Sequence, residues 1–134
     1  MANTVPIVQT LGIETVATII AANITYAAKS VASPGDLVKV ADGSVTGRKI
    51  PYIQAIGEGS TSLAVFQIWI EEIDDSIVFF DAYEWLGSTV STTVLPHKLQ
   101  IKLEDLILKE NRNIWVGISV FTNNINVLAP YGDY

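Results

Sequence analysis

The chain has no cysteine, a single histidine, a single methionine and few charges: Asp, Glu, Lys and Arg together make up 16% of its 134 residues, against about 25% in an ordinary soluble domain. The lack of cysteine excludes disulfides, thiol catalysis and Cys-based zinc sites, and leaves the redox compartment open. With only His97, no HxxxH or HExxH spacing exists and no Ser-His-Asp set can be assembled. His97 follows Pro96 at the start of an expected strand and reads as a turn or surface residue. No enzyme and no cofactor are expected. Basic residues are scarce as well: eight Lys and Arg stand against fourteen Asp and Glu, a net charge of −6. From Lys49 to Lys98 the chain carries Glu58, Glu71, Glu72, Asp74, Asp75, Asp81 and Glu84 and no lysine or arginine, which repels a polyanion and argues against nucleic acid as a partner. "SPGD" and "GEGS" hold glycines without the lysine that a phosphate loop needs, so they read as turns.

A long apolar run is also missing. The stretch "TVATIIAANITYAA", residues 15–28, is uncharged for fourteen positions between Glu14 and Lys29 and contains Asn23, whereas a membrane-spanning helix needs about 20 apolar residues. No basic residue precedes Lys29, so a secretory signal is not expected. Seven of the fourteen residues are β-branched, which favours a strand over a pilin-like helix. By alternation, Val16, Thr18, Ile20, Ala22, Ile24 and Tyr26 form a large apolar face and the odd positions a small or polar one. A long strand with its even face buried is expected.

What the chain does have is apolar residues, 49% of the total, and a positive mean hydropathy of +0.37. A domain this size exposes much of its surface, so apolar area is left over for contact with other copies or partners. Turn signals at 33–36, 42–44, 57–60, 74–76, 86–88, 110–113 and 122–124 separate strand-length apolar runs, the pattern of an antiparallel sandwich. In 98–103, Lys98, Gln100 and Lys102 face one way and Leu99, Ile101 and Leu103 the other, as in a sheet with one wet face. In "AVFQIWI" both faces are apolar, so the strand must be covered twice, by the core and by a loop, an arm or another subunit. Around 103–110, helical spacing of Leu103, Leu106 and Ile107 competes with a strand.

Three constellations point to ligands. Glu72, Asp74 and Asp75 are oxygen donors that could take calcium at the 71–76 turn, though without the D-x-D-x-D-G loop. Trp69, Trp85 and Trp115 could form a sugar-stacking platform, with Trp85 at the end of its strand, and otherwise serve as core or interface anchors. Asn23-Ile24-Thr25 matches a glycosylation sequon, so a surface glycan is a possible partner.

The chain reads as one domain, 1–134, with an arm at each end: an N-terminal arm at 1–14, "MANTVPIVQTLGIE", uncharged up to Glu14, and a C-terminal arm at 125–134, "INVLAPYGDY", ending in aromatic and turn residues. An apolar tail is expected to lie against something, by strand addition or otherwise. Val5, Ile7, Val8, Leu11, Ile13, Trp69 and Trp85 are the expected interface residues. About eight short strands, the uncharged arm and doubly apolar strands such as "AVFQIWI" and "NIWVGISVF" resemble the small jelly-roll proteins that build or decorate virus capsids. The resemblance implies an all-β, antiparallel sandwich. It further implies a structural, self-assembling role in a virion or at an extracellular surface, with homo-oligomers and other structural subunits as partners. Pilus-like strand donation and a carbohydrate-binding module are the alternatives.

Overall fold

The computed structural model describes residues 12–13, 16–103 and 106–134. Among these there is no helix, and thirteen strands follow one another: β1 (Gly12–Ile13), β2 (Ala17–Ile19), β3 (Lys29–Ser30), β4 (Val38–Ala41), β5 (Arg48–Lys49), β6 (Tyr52–Gly57), β7 (Ala64–Glu71), β8 (Ser76–Trp85), β9 (Lys98–Lys102), β10 (Ile107–Leu108), β11 (Ile114–Ile118), β12 (Ile125–Leu128) and β13 (Pro130–Asp133). No helix in the described chain is long and apolar enough to cross a membrane.

All pairings are antiparallel. One sheet runs β3-β8-β7-β11-β4, and two further ladders run β2-β12-β6-β9 and β1-β13-β5-β10. The last two have the same order in space because each pair of consecutive strands (β1 and β2, β5 and β6, β9 and β10, β12 and β13) is one long strand with a break. They form a single creased sheet. At the crease the register slips: four steps from Leu128 to Gly132 stand against five from Gln54 to Lys49, a bulge of the kind that bends a strand and increases its twist. Counted this way, eight long strands and the short β3 remain. The creased sheet holds the first, eighth, third and sixth, and the other sheet the second, seventh, fourth and fifth. That is the strand order of a jelly roll, so the expected all-β sandwich is the observed fold.

The core lies between the two sheets. Ile19, Ile53, Ala55, Ile101, Ile125 and Val127 of the creased sheet meet Phe66, Ile68, Ile114, Val116 and Ile118 of the five-stranded sheet, all buried. Burying each large side chain contributes roughly 1.5–3 kcal/mol. The alternation expected in 98–103 holds, with Lys98, Gln100 and Lys102 exposed and Ile101 and Leu103 buried. Turn chemistry holds too: Gly35 and Gly87 adopt positive φ, and Asp75 does so in the tight turn between β7 and β8.

Two expectations are corrected, and the alternative left open at 103–110 is decided. Residues 15–28 do not form a long strand. Only Ala17–Ile19 is one, and the facing is reversed: Ile19 is fully buried while Val16, Ile20, Ile24 and Tyr26 are exposed. The chain leaves the creased sheet after Ile19 and crosses to the outer side of the other sheet, where Asn23 donates its amide to Ile118 O at 2.8 Å. Residues 125–134 are not an arm. β12 sits between β2 and β6 and buries Ile125 and Val127, because its apolar side chains alternate as a core strand requires. At 103–110 the described part contains the short β10, paired with β5, rather than a helical turn. Of the proposed N-terminal arm, residues 1–11 and 14 lie outside the described residues.

Candidate assembly surface

The outer face of the five-stranded sheet divides into a covered and a bare half. β7 is buried along nearly its whole length, as its two apolar faces require, and the second cover is the chain's own segment 20–37. That segment packs Leu37 against Trp69 and Ile77 and is anchored by a buried polar network. Asn23 Nδ2 donates to Gln67 Oε1 at 2.8 Å, Gln67 Nε2 donates to Asn23 O at 2.9 Å, and Trp69 Nε1 donates to Gln67 Oε1 at 3.2 Å. Each buried polar group there has a partner, which is the condition for tolerating it. Gly117 of β11 lets the segment approach: a Cβ at that position would lie 2.8 Å from Leu37 Cδ2 and 3.0 Å from Gln67 Oε1. Phe79 closes the rim edge-on between Trp69, at 5.6 Å, and Tyr26, at 4.7 Å.

Beyond this cover the same face is bare among the described residues. Leu63, Val65, Ala82, Glu84 and Val120 line an apolar dish of about 520 Å³, and Leu63 and Val120 are exposed.

The flank beside β8 is open as well. β3 pairs with β8 only at Ile77 and Ser76, so among the described residues 78–85 have β7 on one side and no strand on the other. Phe80 is the extra residue of a bulge, since Trp69 faces Phe79 and Ile68 faces Asp81. Between this edge and β10 runs a groove of about 230 Å³ lined by Ile70, Val78, Phe80, Leu106, Leu108 and the ion-paired Glu72 and Arg112. Past Phe80 the strand itself turns polar. Asp81 Oδ1 accepts the amide of Ala82 at 2.8 Å and Asp81 Oδ2 accepts Tyr83 Oη–H at 2.9 Å. Burial pushes the Tyr83 hydroxyl above its ordinary range, and the hydrogen bond to Asp81 adds to this.

The residues expected from the sequence fall elsewhere. Val5, Ile7, Val8 and Leu11 lie outside the described residues, and Ile13 pairs its backbone with Pro130. Trp69 and Trp85 are not surface anchors: both are fully buried. Trp69 sits under the covering segment, and Trp85 donates Nε1–H to Thr61 Oγ1 at 3.0 Å and meets the edge of the His97 ring at 4.5 Å. His97 is accordingly half-buried packing for Trp85, and its Nε2 is buried without a hydrogen-bond partner. Trp115 is tied down by Glu71, a buried carboxylate that accepts from Trp115 Nε1 and Asn113 Nδ2, each at 2.9 Å. Asn23 of the sequon is buried, which closes it to a glycan.

The suggested calcium donors are spread among other tasks. Glu72 is paired with Arg112 at 2.7 Å. Asp74 accepts both the amide and the hydroxyl of Ser76, bonds that hold its carboxyl below the usual carboxylate range. Asp75 turns the chain. Among the described residues no three of His, Asp or Glu gather as a metal site would require.

Sequence reasoning missed Val78, Phe80, Leu106 and the buried Leu108 as residues that line one groove. The run "SIVFF" does show large apolar residues at both parities, but that pattern equally describes a strand covered on both faces. Comparison with protein-family models, curated proteins and solved structures finds no match for this chain.

Proposed function

We propose that this chain is a structural, self-assembling subunit of a virus particle, either part of the shell or a decoration on it, working in a virion or at an extracellular surface. The observation that carries this reading is a jelly-roll sandwich whose surface is left apolar where a monomer would be polar. One half of an outer sheet face is bare, the β8 flank is open, and Ile24, Val45, Ile73 and Leu95 are each more than 70% exposed. Large exposed apolar area on a protein with so few charges marks interaction surface. Jelly rolls serve both viral capsids and lectins. The lectin alternative drew on the tryptophans as a stacking platform, and Trp69 and Trp85 are not available for it.

The test is the mass of the untagged protein by light scattering after size exclusion, with negative-stain images of the same peak. Discrete closed oligomers or shells are expected. A stable monomer of 14.5 kDa at high concentration would sink the reading. The open edge of β8 favours a second reading, a surface subunit joined by strand donation into filaments, and the same images separate the two.

A further inference from the structure

We infer that the groove between β8 and β10 is a strand-acceptor site, and that its occupant is the uncharged stretch of residues 4–11 from a second copy of this chain. The inference deepens the self-assembly reading and rests on it. An unpaired strand edge beside an apolar groove offers the two things an added strand needs: backbone groups for a ladder and pockets for alternate side chains. Here the edge at residues 78–81 carries no ladder partner on its outer side among the described residues, and Ile70, Val78, Phe80, Leu106 and Leu108 supply the pocket. Asp81, opposite the inward-facing Ile68, stops the apolar part of the groove and ties up the next amide.

The pattern of residues 4–11 fits this groove. Val5, Ile7 and Leu11 share one side of an extended strand, with Gln9 between them. Pro6 has no N–H, so it belongs where the backbone points to solvent, which the outer edge of a newly added strand provides.

Two arguments choose the occupant. Charge argues against two β8 edges pairing with each other: that would bring Asp81 and Glu84 of both copies together with no basic residue between them, whereas residues 4–11 carry no charge. Reach argues against the chain's own segment. β1 and β10 are the opposite edges of one ladder, three strand spacings or about 14 Å apart. Leu11 is one residue from Gly12 and Gln9 three, within about 4 and 11 Å of it at full extension. Those two residues therefore cannot enter the groove beyond β10 of the same molecule, so the stretch as a whole is accommodated only by another copy, although Val5 and Ile7 alone, seven and five residues from Gly12, have the length to reach it.

Because donor and acceptor are different patches on opposite flanks, the contact is head-to-tail. It therefore propagates into rings where the rotation closes and into filaments where it does not, and it does not make a two-fold dimer.

The natural absence of cysteine makes the test direct. Full-length Ile7→Cys and Phe80→Cys proteins are mixed under mild oxidation, with Leu95→Cys, exposed and away from the groove, replacing Phe80→Cys as control. The expected result is a crosslinked heterodimer at about tenfold or more above the control, since a bound donor holds its thiol at roughly millimolar effective concentration. Crosslinking of Phe80→Cys with itself, or a crosslink within one chain of the doubly substituted protein, would overturn the choice of occupant. Oligomers by light scattering without the crosslink between positions 7 and 80 would overturn strand donation and leave self-assembly standing. Failure to assemble at any concentration would remove both.

Discussion

Two halves of one sheet face behave differently although the same strands run through both. At the Trp69 half, segment 20–37 lies on the sheet and is locked by Asn23 and Gln67. At the Val65 half, no described segment lies over the same β7, β8 and β11, and their outer side forms a shallow dish of about 520 Å³. The difference is one of chemistry as much as of chain length. The covered half has a buried polar pair that fixes where the segment sits and a glycine at 117 that admits it. The bare half has Leu63, Val120 and a single carboxylate, Glu84, with no group that would position a cover. A face finished by its own chain is structural, and the unfinished face is the one we propose as surface for another molecule.

The contrast is broken most strongly at Trp69. Trp69→Ala should cost about 3–5 kcal/mol, because it empties a fully buried site. Thermal unfolding by circular dichroism should then show a melting point lower by about nine degrees or more, at about 3 degrees or more for each kcal/mol. A loss below about 1 kcal/mol would mean that the covering segment does not pack.

Asn23→Ala removes the two bonds donated by Asn23 Nδ2, to Gln67 Oε1 and to Thr25 O, while Trp69 Nε1 and the main-chain oxygen of residue 23 still satisfy Gln67. The expected cost is about 1–2 kcal/mol, as for the loss of buried hydrogen bonds, and urea denaturation measures it. A near-zero change would show that water reaches Gln67 and that the lock is dispensable.

On the bare half, Leu63→Ser should change monomer stability by less than about 0.5 kcal/mol, as for an ordinary surface site. The same variant should weaken assembly in sedimentation experiments. Equal assembly by the variant and the parent protein would remove the dish from the contact surface.

The smallest effect sorts the regions by pH. Asp74 supports the turn beside the covered half, and its folded-state pKa lies below the ordinary value. Its contribution is therefore complete above about pH 4 and disappears as pH falls through the depressed value. Tyr83 belongs to the open flank and is shifted upward, so its contribution holds up to about pH 10 and is lost as pH climbs through the raised value. Amide exchange should loosen first near residues 72–76 in acid and near 81–83 in base. The reverse order would contradict the assignment.

Much of the architecture was legible from the residues. The alternation of 98–103, the double cover of β7 and the turns at Gly35, Asp75 and Gly87 all follow from period, apolar content and turn chemistry. The facing of residues 16–26 was not legible, because alternation treats Asn23 as a solvent residue. A tertiary partner 44 positions away, Gln67, makes it an interior one. Trp85 was misjudged for a related reason: its position at a strand end suggests exposure, while Thr61 and His97 come from distant loops to enclose it. The open groove depends on which strand is an edge, and periodicity does not encode strand order.

The crease across the four long strands has a mechanical consequence. Since β1 and β2, β5 and β6, β9 and β10, and β12 and β13 are all interrupted in turn, the hydrogen-bond ladder is not continuous across that line. Among the described residues the backbone bond from Leu103 N–H to Pro51 O, at 2.9 Å, lies within the break, so with fewer ladder bonds there the sheet should bend more easily along that line than within either ladder. In the proposed assembly such bending would let identical copies meet at slightly different angles while keeping the same contacts. Distance measurements between spin labels placed on either side of the crease should give a broader distribution than the same separation within one ladder. Equal widths would mean that the crease is as rigid as the sheets it joins.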